Sequence, residues 1–161
     1  MVQSPDPLRT QLASHLNWEE AHVDFDKATG GIPADKRGAQ AQGFAHSPWQ
    51  LLEHIRLAQK DILAFSVSPT YVHDLNWPDD YWPVDPAPPG AAAWEDSIAS
   101  YKADLETLQT LALNAHTDLL APVPTGDLNQ TVLRGILLAA SHASYHLGQL
   151  VAVRRALGIW T

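Results

Sequence analysis

VLRGILLAASHASYHLGQLVAV, residues 132–153, is the stretch that decides how this 161-residue chain folds. As a helix it would span about six turns, and it is apolar nearly all round, which is typical of a helix buried in a core. We predict that this helix starts near Asp127 or Asn129 and ends at Leu157, with Gly158 terminating it. It should be the most buried element of the molecule.

Three more segments carry helical signals. The clearest begins at Ser47-Pro48-Trp49-Gln50, where a serine N-cap, a proline and a glutamine form a capping box, and this helix should run to about Val67. A first helix is predicted from about Pro7 to Ala28, because apolar residues recur there at helical spacing, although they form a thin stripe. A third is predicted from about Ala92 to Leu113.

A long connection, Pro69 to Gly90, separates the second and third helices. It holds half of the chain's 12 prolines and the aromatic residues Trp77, Tyr81 and Trp82. Such a connection should be an ordered loop packed by its own rings, and it is long enough to cross one end of a bundle. We therefore predict one domain that covers the whole chain. It is an all-α four-helix bundle with a long crossover between helices two and three, which run parallel.

Composition limits the partners that the chain can have. The formal net charge is −8 and the basic residues are scattered, which argues against binding to nucleic acid. Residues 1–7 do not resemble a signal peptide, and no run approaches the roughly 20 apolar residues of a membrane helix, so no membrane partner is expected. The absence of cysteine excludes disulfides and thiolate metal ligands, and it suits a cytoplasmic location.

Histidine is frequent, with eight residues in the chain, and two of these, His142 and His146, lie four residues apart in the predicted core helix. That spacing places two imidazoles on one helix face, about 6 Å apart along the axis and within reach of one ion. The spacing alone is weak evidence, because a chain so rich in histidine produces such pairs by chance. Two core histidines, each hydrogen-bonded to a neighbour, are the plain alternative.

The surroundings of the pair favour a metal site. Imidazoles without partners are costly to bury, and His54 also faces inward, between Leu51 and Ile55 of the second helix. His54, His142 and His146 can therefore meet at one divalent metal ion, with zinc or nickel favoured and iron or manganese as alternatives. Three neutral nitrogen ligands leave a position open for water or substrate, which is typical of a catalytic site.

Other residues are predicted to surround this centre. Gln149 follows His146 by three residues and is placed to orient an imidazole or a substrate. The loop from Trp77 to Trp82 and three single residues are candidates for the lining of a pocket: Trp49, His46 and His22. Glu53 points about 100° away from His54 around the helix, so it is expected to be a surface charge. Tyr145 is expected to pack at a seam of the bundle.

Two stretches of the sequence resemble the DinB-like (YfiT-like) family of damage-inducible helical-bundle proteins. The resemblance rests on HSPWQLLEH at residues 46–54, followed by Arg56, and on HASYHLGQL at residues 142–150. The loop from Trp77 to Pro83 is similar to one branch of that family, and the resemblance extends from about His22 to Trp160. It implies a four-helix bundle with a long crossover, a homodimer, and a divalent metal held by three histidines.

By these matching runs, the family's three metal ligands correspond to His54, His142 and His146. The family is functionally broad, and some relatives are transferases or isomerases that use low-molecular-weight thiols. The preferred hypothesis is therefore a metal-dependent hydrolase or thiol S-transferase that acts on a small-molecule substrate. A non-catalytic metal-binding or stress-response interaction bundle is the alternative. Haem binding by two histidines is less favoured, because it does not need the third.

Overall fold

The computed structural model describes residues 6–160, and within that range the chain is helical, with a single isolated antiparallel bridge between Pro122 and Thr131. The α-helices of the described chain are, in order, α1 (Pro7–His15), α2 (Phe25–Thr29), α3 (Pro48–Val67), α4 (Ala93–Leu113) and α5 (Val132–Ala156). Two short 3₁₀ turns lie in the connections, at Ala34–Lys36 and Asp79–Tyr81.

Helices α3 and α4 run parallel, side by side. Their contacts advance together along both helices: the rings of Trp49 and Trp94 lie with centroids 6.5 Å apart near the two starts. Further along, Gln59 Nε2 donates to the carbonyl oxygen of Tyr101 at 2.9 Å. The connection between the helices therefore returns along the bundle, which confirms the predicted long crossover.

Helices α1 and α5 run opposite to α3 and α4. Arg9 Nη1 of α1 donates to the carbonyl oxygen of Ala112 at the end of α4, 3.1 Å away. Gly135 near the start of α5 faces Ser66 at the end of α3, and a Cβ atom on this glycine would collide with the serine hydroxyl. An alanine at this position would therefore require the Ser66 hydroxyl to move away from the Ile62 carbonyl to which it donates. With α1 and α4, these two helices form the predicted four-helix bundle.

The predicted first helix, Pro7 to Ala28, is wrong, because the chain leaves the helix after α1 and starts again at α2. Asn17 Oδ1 accepts the backbone N–H of Phe25 at 3.3 Å, and Asp24 Oδ1 accepts that of Lys27 at 2.8 Å as the N-cap of α2. Short polar side chains bind the backbone in this way in preference to continuing a helix. The segment between the two helices is consequently irregular.

The last helix starts at Val132 rather than at Asp127 or Asn129. Thr131 is its N-cap, and the bridge at this residue ties the preceding segment to the loop before it, so that segment is not free to be helical. The predicted end is confirmed to within one residue, since Gly158 follows the helix with a φ of 69°, a conformation that favours glycine.

By length and composition, α5 is long and apolar enough to cross a membrane, contrary to the expectation that no run of the sequence approaches a membrane helix. Half of that apolar window is buried inside the protein, where α5 packs against α3. A core helix of a bundle meets the same criteria, so this property is weak evidence for a membrane span.

The crossover loop, residues 68–92, is fastened to α3. Gln50 Nε2 donates to the carbonyl oxygen of Pro83 at 2.9 Å, and the Ser47 hydroxyl donates to that of Pro86. Tyr81 is buried, and the ring of Trp77 meets it edge-on at 5.0 Å. The loop is therefore packed by its own aromatic side chains, as predicted.

The Ser47→Ala variant tests the fastening of the loop and the cap of α3 together. It removes the hydroxyl that accepts the N–H of Gln50 and donates to the crossover loop. We expect the free energy of unfolding, measured by urea denaturation, to fall by about 1–2 kcal/mol. Ser14→Ala, at an exposed position of α1, is the control and should change it by less than about 0.5 kcal/mol. Equal losses in the two variants would contradict the cap.

Candidate metal centre

Three histidines from two helices converge between α3 and α5. His54 lies in the middle of α3, while His142 and His146 lie one turn apart on α5. His54 Nε2 is 3.1 Å from His146 Nε2 and also 3.1 Å from His142 Nε2. His54 is only 2% exposed, His146 is buried and His142 is half-buried. The structure therefore brings all three predicted ligands together.

The protons on these rings are placed by their outer hydrogen bonds. His54 Nδ1 lies 3.2 Å from the backbone carbonyl oxygen of Tyr81, which can only accept, so Nδ1 carries the proton and Nε2 does not. His146 Nδ1 lies 2.9 Å from Gln149 Oε1, and with the amide in this orientation Nδ1 donates to it. Two unprotonated Nε2 atoms thus face each other across 3.1 Å, where their lone pairs repel unless a cation lies between them.

The nitrogen geometry fits a divalent ion. Two nitrogens that each lie about 2.0–2.1 Å from a tetrahedral zinc ion are about 3.3 Å apart. Both separations from His54 Nε2, at 3.1 Å, are close to that value, and the three ligand nitrogens all lie within 4.8 Å of one another. Imidazole nitrogen suits several divalent metals, zinc and nickel among them. The side chains of this cluster can therefore hold one metal ion.

Trp82 of the crossover loop fixes the plane of the His54 ring. The two rings stack at 3.7 Å with an angle of 3°, and His46 stacks on Trp82 at 3.7 Å with an angle of 9°. Two rings cannot share one face at that distance, so His46 and His54 lie on opposite faces of the indole. With the Tyr81 carbonyl holding Nδ1, the loop controls both the tilt and the rotation of the ligand.

The electrostatics of the centre keep its imidazoles neutral. Burial lowers the pKa of His54 to about 4 and that of His142 to about 3, and repulsion from His146 acts in the same direction. Burial also lowers the pKa of His146 and of His46. Near neutral pH the three candidate ligands therefore keep their lone pairs available for a metal ion.

The centre is open to a cavity. A space of about 400 Å³ adjoins His142, and its walls include the apolar side chains of Trp77 and Leu138. A separate space of about 340 Å³ is lined by His46 and Gln149. A small molecule can thus reach His142 without displacing a helix.

The remaining predicted site residues divide into two groups. Gln149 contacts His146 as expected, and His46 lines a cavity beside the centre. Trp49, by contrast, is 6% exposed and packs in the hydrophobic core against Trp94. His22 lies exposed in the irregular segment after α1, where its Nδ1 contacts the carbonyl oxygen of Val23 at 2.9 Å. Neither lies at the centre, because the helix predicted from Pro7 to Ala28 ends at His15 and Trp49 faces α4.

Two expectations about single residues are wrong. Glu53 is no free surface charge: its carboxylate accepts from Arg56 at 2.7 Å and from the Ser97 hydroxyl, and it is mostly buried between α3 and α4. Tyr145 is not packed at a seam but is 66% exposed, with its ring edge-on to His146 at 4.8 Å.

The loop from Trp77 to Trp82 was expected to line the pocket, but the contacts of Tyr81 and Trp82 with His54 itself were not predicted. The aromatic residues of the crossover loop indicated that the loop is ordered. They did not indicate which side chain of the centre the loop contacts. The specific contact is a backbone carbonyl and a ring face, and neither leaves a mark in the sequence.

A four-helix bundle with three converging imidazoles defines a class of helical proteins with a histidine metal centre. The model of the DinB superfamily matches residues 17–150, and the chain belongs to that superfamily, as its sequence resemblance implied. The superfamily is metal-binding, in agreement with the histidine cluster. A comparison with curated proteins gave no match.

The stability of the metal-free protein should depend on pH. His54 and His142 take up protons in the unfolded chain near pH 6.5 but in the folded chain only near pH 4 and 3. Their contribution is therefore complete above pH 6.5 and is lost as the pH falls below it. We expect the melting temperature of chelator-treated protein to fall between pH 7 and pH 5, before most carboxylates titrate. A flat profile in that window, or the same slope in a variant with both residues changed to Gln, would contradict this.

Gln149→Leu tests the outer hydrogen bond of His146. Without the amide oxygen, the Nδ1 proton and the ring orientation of His146 are no longer fixed. We expect the affinity for zinc, measured by competition with a chelating dye, to fall by about 10–100-fold. Gln42→Leu, at an exposed position outside the centre, is the control and should leave the affinity unchanged.

Proposed function

We propose that this protein is a divalent-metal-dependent enzyme that acts on a small molecule, with His54, His142 and His146 as its metal ligands. The observation that carries the proposal is the pair of unprotonated Nε2 atoms of His54 and His146, which face each other across 3.1 Å. With the ring protons on the two Nδ1 atoms, neither Nε2 atom has a proton to donate to the other. A cation accounts for this arrangement.

A catalytic metal site is favoured over a structural one because both the number of ligands and the access to the centre are typical of a catalytic site. Three neutral ligands leave at least one position open, and the cavity beside His142 leads to it. A divalent ion in this place would act as a Lewis acid and lower the pKa of a water or thiol that reaches it. A structural site would be closed by a fourth side chain, and the cluster of the described residues contains three.

The protein's own side chains supply orientation and shelter. The Tyr81 carbonyl and Gln149 hold two of the imidazoles in the tautomer that exposes Nε2. Trp82 covers His54 from the loop side, and Trp77 lies 6.0 Å from His142, at the wall of the cavity. These rings keep bulk water from the buried face of the centre and leave the cavity as the route of access.

Metal analysis of the untagged protein tests the proposal. We expect about one divalent metal ion per chain by mass spectrometry, and loss of most of it in His54→Ala and in His142→Ala. His116→Ala, at an exposed position outside the centre, should keep its metal. Unchanged metal content in both ligand variants would overturn the three-histidine site.

Activity and stability measurements separate the reactions. If the variants lose metal but keep nearly the same melting temperature, the ion serves function, whereas a steep loss of stability favours the non-catalytic bundle. Small thiols with chlorodinitrobenzene test S-transfer, and nitrophenyl acetate tests hydrolysis, each with the His142→Ala variant as the blank. A hydrolytic rate without a thiol-dependent rate would support the hydrolase, and the reverse would support the transferase.

A further inference from the structure

The cavity beside His142 continues along the groove between α3 and α5. A second space, of about 280 Å³, lies further from the histidines and is lined by Phe65 and Tyr71. The two spaces share several wall residues: Asp61, Ile62, His73, Arg134 and Leu138. They are therefore adjoining parts of one groove that starts at the proposed metal centre.

Two opposite charges lie where the two spaces meet. The carboxylate of Asp61 comes from α3 and the guanidinium of Arg134 from α5, and both line both spaces. They form no ion pair with each other, and within residues 6–160 the Arg134 side chain has neither a hydrogen bond nor an ion pair. One oxygen of Asp61 accepts from the Tyr71 hydroxyl at 2.8 Å. One cationic and one anionic group are thus presented to the same groove.

The distance from the centre to these charges is similar on both helices. Arg134 precedes His142 by eight residues, which is about 12 Å along α5, and Asp61 follows His54 by seven residues, about 10 Å along α3. Because the helices are antiparallel, both charges lie about two turns from the histidines and on the same side of them. The wall between the histidines and the charges is apolar, with Ala58 of α3 and Leu138 of α5 lining the cavity.

We propose that this groove binds a substrate with an amino-acid-type end, an ammonium and a carboxylate on one carbon, while its reactive group lies at the histidines. Asp61 binds the ammonium and Arg134 binds the carboxylate, and an apolar stretch of the substrate lies against Leu138. The inference rests on the proposed function, since it names the class of small molecule that the metal centre would act on. An anion alone would leave Asp61 repelling it, whereas a zwitterionic end satisfies both charges.

Three probes of equal length test this pairing: α-aminooctanoate, octanoate and octylamine, each titrated calorimetrically into metal-free and metal-loaded protein. We expect α-aminooctanoate to bind about tenfold more tightly than either of the others, since it makes both charge-assisted contacts. Arg134→Gln should lower the affinity for α-aminooctanoate and for octanoate by about tenfold and leave the affinity for octylamine unchanged. Asp61→Asn should weaken α-aminooctanoate and octylamine by about tenfold and spare octanoate.

Arg155→Gln is the matched control, because it removes the same charge from an exposed position of the same helix, away from the groove. It should leave all three affinities unchanged. Equal affinity for the three probes, or equal effects of Arg134→Gln and Arg155→Gln, would overturn the pairing. Leu138→Trp fills the apolar wall and should weaken every probe, and an unchanged affinity there would place the probes elsewhere.

The outcome separates this inference from the proposed function. If the protein holds no metal but binds the probes with charge selectivity, the proposal for the groove stands and the proposed metal-dependent enzyme is overturned. If the three histidines bind metal but the probes bind without charge selectivity, the proposed enzyme stands and the proposal of an amino-acid-type substrate is overturned. Melting temperatures of Arg134→Gln and Asp61→Asn show that a lost affinity does not come from unfolding, and Asn at position 61 can still accept the Tyr71 hydroxyl.

Discussion

The hydrogen bond from His54 Nδ1 to the carbonyl oxygen of Tyr81 is the contact on which the centre depends. It decides which nitrogen of a buried imidazole carries the proton, and thereby turns the other nitrogen towards two histidines of α5. The crossover loop can reach that position because α3 and α4 run parallel, so the chain has to return along the bundle between them. The topology of the bundle and the chemistry of its centre are thus linked through one backbone carbonyl.

The tight contact of α3 and α5 is the second requirement. Gly135 allows α5 to approach Ser66 closely, and the same pair of helices carries all three histidines. Further from the centre, these helices also form the walls of the groove that holds Asp61 and Arg134. One helix pair therefore positions the ligands, the access route and the two charges.

Much of the bundle and of the histidine cluster was predictable, because local signals determine them. The capping box at Ser47 and the apolar run of α5 each lie within a few turns, and the spacing of His142 and His146 follows from one helix. The break after α1 was missed, since Asn17 and Asp24 compete with the helix through side-chain bonds that a thin apolar stripe cannot reveal. Contacts between side chains of distant segments could not be predicted either.

Glu53 shows this last limit clearly. Its position on α3 faces away from His54, and from the sequence it looked solvated, yet Ser97 of α4 meets it in the packed bundle. The stack of Trp82 between His46 and His54 has the same character, because it depends on where a long loop ends up. Such contacts become visible only when the arrangement of the helices is known.

The separation of the three histidines along the chain has a consequence for how the centre forms. The pair on α5 is complete as soon as that helix exists, whereas His54 is 88 residues distant from His142 and Tyr81 belongs to a third segment. Joining such remote segments is slow compared with helix formation, because long loops have to close first. The complete cluster is therefore a late product of folding, because it forms only after α3, α5 and the crossover loop have packed together.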